Sequence, residues 1–232
     1  MENKKKNMTI GVIVSVVVVL FIVFGTLACL GIFREFNAQR YVSAVLDQTL
    51  KGDVEDAVEM VDGATEEALY TQYEAGISSF VKNSLTSGTE LTTELEKRYT
   101  ELCKKVFASM KYEVQEAEKI SDEEFQVPVK YQPSDILQKF IVSVTAEAQR
   151  LNEKVENGEY RGTLEEINTQ MKEEFMNNSC DLFEEAYNSM EFGEEQTIVL
   201  KVVKGEDDLY ELEESAITEF LVKILSLDAK ED

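Results

Sequence analysis

Ser79-Phe80-Val81-Lys82 has the S-x-x-K spacing at which one helical turn sets a lysine amine beside a serine hydroxyl and activates it for acyl transfer. The companion patterns S-D-N and K-T-G are missing downstream, and Phe80 and Val81 read as core positions late in a helix. The run therefore reads as ordinary helix surface. Glu66-Glu67, Glu123-Glu124 and Glu213-Glu214 are carboxylate pairs of the kind that divide general acid and base work. With 46 acidic residues in the chain, pairs of this kind arise by chance, and they read as solvated faces. Glu206, Asp207 and Asp208 offer oxygen ligands at a turn, but no D-x-D-x-D-G loop organises the six or more that calcium takes. Tyr70, Tyr73, Tyr99 and Tyr112 have the apolar body and polar tip of pocket-lining residues, although helical spacing marks such aromatics as core first. The chain has no histidine, which removes the commonest general base and the commonest transition-metal ligand. Sequence alone thus assigns no catalytic, cofactor-binding or metal residue.

The elements that would position these groups follow from periodicity. Val42, Val45, Leu46 and Leu50 mark a helix from Asn37 that stops at Lys51-Gly52, and Asp53 starts a short second one ending at Asp62-Gly63. Thr65 caps a third helix, which breaks near Ser84 to Gly88 before Leu91, Leu95, Tyr99, Leu102 and Val106 mark a fourth. From Tyr112 the period changes to two: Tyr112 and Val114, then Phe125, Val127, Val129 and Tyr131, predict a hairpin with one buried face. Pro128 cannot donate to a ladder, which predicts an edge strand or a bulge and a docking edge. Two long helices follow, one stopping at Asn157-Gly158 and one opened by a Thr163/Glu166 capping box, with Asn177-Asn178-Ser179 as a point of interruption. Thr197 to Val203 predicts a central strand and Leu209 to Leu212 a short one, and Ser215 caps a last helix.

Ahead of all this lies Met8 to Phe33, an apolar run without Asp, Glu, Lys or Arg, longer than the roughly twenty residues that cross a bilayer. It predicts a transmembrane helix acting as signal anchor, and Lys4, Lys5 and Lys6 place the N-terminus on the cytoplasmic side. Cleavage after Ala28, leaving Cys29 first, is the alternative. The expected layout is a cytoplasmic segment 1–7, a membrane helix 8–33 and an extracytoplasmic domain 34–232. The expected fold class is α+β: the membrane helix, then a helix-rich domain packed on a small antiparallel sheet of about four strands. The net charge of −23 disfavours nucleic acid and anionic surfaces. Cys103 and Cys180 sit in predicted helices, and spacing leaves open whether they pair.

The stretch AQRYVSAVLDQTLKGDVEDAVEMVD near the start, together with TIVLKVVKGEDDLYELEES near the end, resembles nuclear-transport-factor-2-like, or cystatin-like, domains of membrane-anchored bacterial envelope proteins. The resemblance implies a cone-shaped sheet with a concave face and carries over no catalytic residue. Tyr210 stands where members commonly have Trp, and the helices between Pro133 and Met190 depart from the compact pattern. The resulting expectation is a non-catalytic interaction or ligand-binding domain held at the cell membrane by its N-terminal helix. Its partners would be the membrane and an envelope protein or small ligand, with no cofactor. The alternatives are a carboxylate and tyrosine enzyme in the concave face and a structural subunit of an envelope complex.

Overall fold

The computed structural model of the protein describes residues 36–60, 64–86, 88–205 and 209–227. Helix α1 (Ala38–Lys51) opens where the Asn37 side chain accepts the Arg40 N–H at 2.9 Å and closes at Gly52, φ 68°. Glycine is required there twice over, for the left-handed backbone and because a Cβ would lie 2.6 Å from the Tyr73 ring. After α2 (Glu55–Met60), Thr65 caps α3 (Glu66–Phe80) by accepting the Ala68 N–H. That helix runs on into a π turn at Val81–Leu85, and Thr92 then caps α4 (Thr93–Ala108). The strands are β1 (Lys111–Val114), β2 (Glu118–Lys119), β3 (Glu124–Gln132), β4 (Gln196–Lys204) and β5 (Tyr210–Leu212). The long pair α5 (Ile136–Glu156) and α6 (Leu164–Asn188) stands between β3 and β4 in sequence, and α7 (Glu214–Ile224) ends the fold.

Alternation decides the sheet. Val127 and Leu200, Val129 and Ile198 face one another across β3 and β4 and are buried, whereas Thr197, Val199 and Lys201 on the opposite face are exposed. The buried face packs on α1 and α7, with the Phe220 ring edge-on to both Tyr112 (6.0 Å) and Tyr131 (5.9 Å). All pairings are antiparallel in the order β1-β3-β4-β5, with β2 pairing β3 on the same side as β1.

The sheet corrects two expectations. It has five strands, because the neighbour of β3 is split into β1 and β2. Pro128 is also not on an edge: it lies in β3, opposite Val199 of β4. Its carbonyl accepts the Gln115 N–H at 2.8 Å, so its nitrogen points the same way, towards residues 115–117, where pairing lapses between β1 and β2. The missing donor faces a gap in the ladder, and the proposed docking edge does not exist. Two smaller differences are that α7 begins at Glu214, with Glu213 rather than Ser215 at its cap, and that α6 runs unbroken through residues 177–179.

The membrane reading is corrected as well. The apolar segment 8–33 and Cys29 lie outside the described residues, and among those described no helix is long and apolar enough to cross a membrane. The longest, α6, carries Glu165, Glu166, Lys172, Glu173, Glu174, Asp181, Glu184 and Glu185 along its length. The fold class is therefore an α+β domain of helices against a five-stranded antiparallel sheet. The transmembrane signal anchor, the single-pass localisation with an extracytoplasmic domain, and the membrane partner have no described helix to rest on and are withdrawn.

One core joins the sheet to α1, α3, α4, α6, α7 and the first half of α5, and a small satellite of Ala44, Ala57 and Leu69 sits under α2. At its margin Phe36 stacks on Tyr210, centroids 4.1 Å apart, and meets Phe125 edge-on at 5.5 Å. The α5–α6 pair outruns the core. Past Val144 on α5 only Leu151 is buried, and ahead of Met176 no residue of α6 is. Ion pairs hold the helices together there. Glu174 accepts bonds from Arg150 (2.8 Å), Lys154 (2.8 Å) and the Tyr160 hydroxyl (2.6 Å), while Glu147 accepts from Arg150 (2.8 Å) and Asn178 (2.6 Å).

Candidate functional site

Residues 40, 43, 47 and 51 recur every three or four positions, so α1 presents Arg40, Ser43, Asp47 and Lys51 as one stripe. The stripe faces Tyr112, Glu113 and Val114 of β1 across a groove of about 400 Å³, with Asp56 of α2 at its rim. A smaller hollow of about 250 Å³ adjoins it, lined by Asp47, Asp53, Glu55 and Asp56.

Asp47 is the centre of the groove. Its Oδ1 accepts the Tyr112 hydroxyl at 2.7 Å and the Lys51 ammonium at 2.6 Å, and its Oδ2 accepts the Ser43 hydroxyl at 3.2 Å. The Lys51 ammonium also lies 4.6 Å from the centre of the Tyr112 ring. Burial, reinforced by the bond to Asp47, pushes the Tyr112 phenol well above its usual range. Tyr112 is thereby fixed as a donor and cannot serve as a base near neutral pH. Arg40 donates to Asp56 and Glu59, and those bonds hold its guanidinium above its ordinary value. Asp47 with Lys51, and Asp56 with Arg40, are closed into pairs, and Glu113 is the lining carboxylate without a cationic partner among the described residues, so the groove presents polar groups of both signs.

The other expected candidates do not converge on it. Of the four tyrosines only Tyr112 lines the groove. Tyr99 is fully buried and donates to the Met176 carbonyl at 3.1 Å, Tyr73 lies under Gly52, and Tyr70 is on the surface. Ser79 Oγ accepts from Asn83 at 3.0 Å, and Lys82 points to solvent, so the S-x-x-K spacing forms no dyad. Glu66 and Glu67 are exposed in the first turn of α3, where the helix dipole favours them, and Glu123 is exposed just ahead of β3. Residues 206–208 lie outside the described residues. Among those described, no group of three or more His, Cys, Asp or Glu is arranged to hold a metal. Cys103 and Cys180 are free thiols, both buried, on α4 and α6. Burial raises both, Cys180 to about 11.

Sequence reasoning missed two constellations. Asp47 and Tyr112 are 65 residues apart, and only the packing of α1 on β1 joins them. The Glu174 cluster left a partial signal, since Arg150 and Lys154 share one stripe of α5, but the carboxylate they converge on lies across a loop on α6.

No family model matches the sequence, and no curated protein matches it. Among solved structures the fold is similar to that of a "putative lipoprotein (ycdA)" from Bacillus subtilis subsp. subtilis str. 168, with 17% identity and a TM-score of 0.45 over 81% of this chain and 55% of that one. The chain thus spans about half the length of that protein. The resemblance to nuclear-transport-factor-2-like, or cystatin-like, domains is corrected by these findings. No model of such a family matches, the sheet face that it makes concave is filled by Tyr41 and Phe220, and the α5–α6 pair stands between β3 and β4.

Proposed function

We propose that the protein is a non-catalytic interaction domain whose presenting element is the α5–α6 arm. The observation that supports this reading is the bonding of the arm beyond the core. Helices this far from a core are marginal unless something dedicated holds them, and here Glu174, with Arg150, Lys154 and Tyr160, does so. A chain that only needed a compact core would have no use for that extension. The groove supports the non-catalytic half of the reading. An enzyme working through carboxylates and tyrosines needs two converging carboxylates free of basic partners, whereas in the groove Asp47 is held by Lys51 and Asp56 by Arg40, which leaves Glu113 alone among the described lining residues. Binding of a small polar ligand in the groove is the second reading, favoured by its lining of both signs.

The test is site-specific photo-crosslinking in cells that express the full chain, with a photoreactive side chain at exposed Thr169 of the arm or at Ser43 in the groove. A discrete adduct from position 169 alone is the expected result. Adducts from position 43 alone, or from neither, overturn it.

A further inference from the structure

Asn157-Gly158, just past the end of α5, is the one place in the chain where asparagine precedes glycine. The pairing matters chemically. A side chain on the following residue hinders the approach of its backbone nitrogen to the asparagine amide carbon, and glycine has none. Both residues are exposed, and a Cβ placed on Gly158 would meet nothing within 4 Å, so water has free access. The backbone is nonetheless held away from reaction. Asn157 keeps a helical φ of −77° and ψ of −3°, whereas ring closure needs the Gly158 nitrogen in line with the Asn157 Cβ, at a ψ far from that value. The Gly158 N–H is also engaged, donating to the Val155 carbonyl at 3.1 Å, and the Glu159 N–H donates to the Lys154 carbonyl at 3.0 Å. One carboxylate closes this turn from both sides. Glu174 of α6 accepts from Lys154, ahead of the dipeptide, at 2.8 Å and from the Tyr160 hydroxyl, behind it, at 2.6 Å.

We propose that Asn157-Gly158 is a site of spontaneous deamidation and isomerisation, timed by the Glu174 clasp. When the turn opens, the Gly158 nitrogen bonds to the Asn157 Cγ, and its proton leaves with the side-chain amide nitrogen as ammonia. Water then opens the resulting succinimide at either carbonyl, giving aspartate or, with the main chain rerouted through the side-chain carbon, isoaspartate. Water is the only co-reactant. Either product adds a negative charge at the C-terminal end of α5, where the helix dipole and exposed Glu153, Glu156 and Glu159 oppose it. Isoaspartate also lengthens the backbone by one carbon, so the bonds from Gly158 and Glu159 back into α5 no longer fit. The outer end of the arm is thereby loosened cumulatively with time. The chemistry needs no partner, so this inference stands apart from the arm's role in binding.

The test incubates the full chain in mildly alkaline buffer, native and in guanidinium, and follows position 157 by peptide mapping in a mass spectrometer. Enzymatic methylation of isoaspartate is the second readout. The native chain is expected to convert at least about tenfold more slowly than the unfolded one. Glu174→Gln should recover most of that gap and Tyr160→Phe part of it. Asn83-Ser84 and Asn188-Ser189 are internal controls, because Asn83 bonds Ser79 and Ser189 bonds Glu185 rather than Glu174. Their conversion should stay unchanged, which separates release of the clasp from general unfolding. Asn157→Gln should remove the isoaspartate signal of this turn. The inference is overturned if position 157 keeps its amide in guanidinium, or if native and unfolded chains convert equally fast. It is also overturned if Glu174→Gln converts at the native rate or speeds all three positions alike.

Discussion

The backbone N–H of Leu212 donates to the hydroxyl of Tyr41 at 3.2 Å, joining the outer strand β5 to helix α1 across 171 residues of sequence. Two residues earlier on α1, the Gln39 amide donates to the Val114 carbonyl of β1 at 3.1 Å. Residues two apart on a helix point about 200° from each other, so one turn of α1 reaches both margins of the sheet. Each bond occupies a backbone group that an edge strand would otherwise offer to another chain.

Tyr41→Phe keeps the ring and removes the acceptor. Both residues are buried, so the Leu212 N–H is left unpaired, and equilibrium urea unfolding should show a loss of about 1–3 kcal/mol. A loss below a few tenths would mean that another group takes over the N–H.

Gly52→Ala should be more damaging than its single methyl suggests. The left-handed backbone and the Tyr73 ring at 2.6 Å act together, and a loss of more than about 1 kcal/mol is expected from chemical denaturation. In a double-mutant cycle with Tyr73→Leu, the steric part should be recovered and the backbone part should remain.

Thiol chemistry separates the folded from the unfolded chain. Because burial suppresses the thiolates of Cys103 and Cys180, a Cys29→Ser chain at pH 8 should react with an aromatic disulfide reagent only after addition of denaturant. Rapid labelling of the native protein would contradict the burial of both.

Acid should loosen the arm before the core. Lys154, then Tyr160 and Arg150, hold the Glu174 carboxyl at about 2, below its usual 4.5. A depressed carboxylate stabilises the fold above its unfolded value and loses that contribution as pH falls from about 4.5 through about 2. Amide exchange in residues 147–174 should therefore rise over this window, and in Glu174→Gln the arm should already exchange faster at neutral pH, with a flatter acid response. Equal acid sensitivity of α4 and the arm would argue against a separate unit.

Local signals were readable from the residues themselves. Thr163 and Glu166 form the expected capping box, Gly52 ends α1, and the alternation through Val127, Val129 and Tyr131 marks the buried face of β3. The places where the reading failed needed information held by another segment. Proline in a strand says that one side lacks a donor, and whether that side is an edge or an internal gap depends on residues 115–117, which belong to a different strand. Spacing marked Tyr73 and Tyr99 on helices and Tyr112 on a strand as apolar positions but could not say that Tyr112 would meet Asp47, because that contact depends on how α1 lies on the sheet. The arm was legible as two helices, yet its reach past the core was not. Val144, Ala148 and Leu151 look alike in sequence whether a sheet or only one other helix lies beneath them.

The stacking of Phe36 on Tyr210, with Phe125 at its edge, has a mechanical meaning. The first described residue is clamped to β3 and β5 before α1 begins, so the chain does not join the domain through a free helix end. Tension arriving from the preceding segment passes directly into the sheet, and α1 is bypassed. An N-terminal pull in a force-spectroscopy experiment should accordingly meet its resistance at the strands, and Phe36→Ala should move the first yield point to the unwinding of α1.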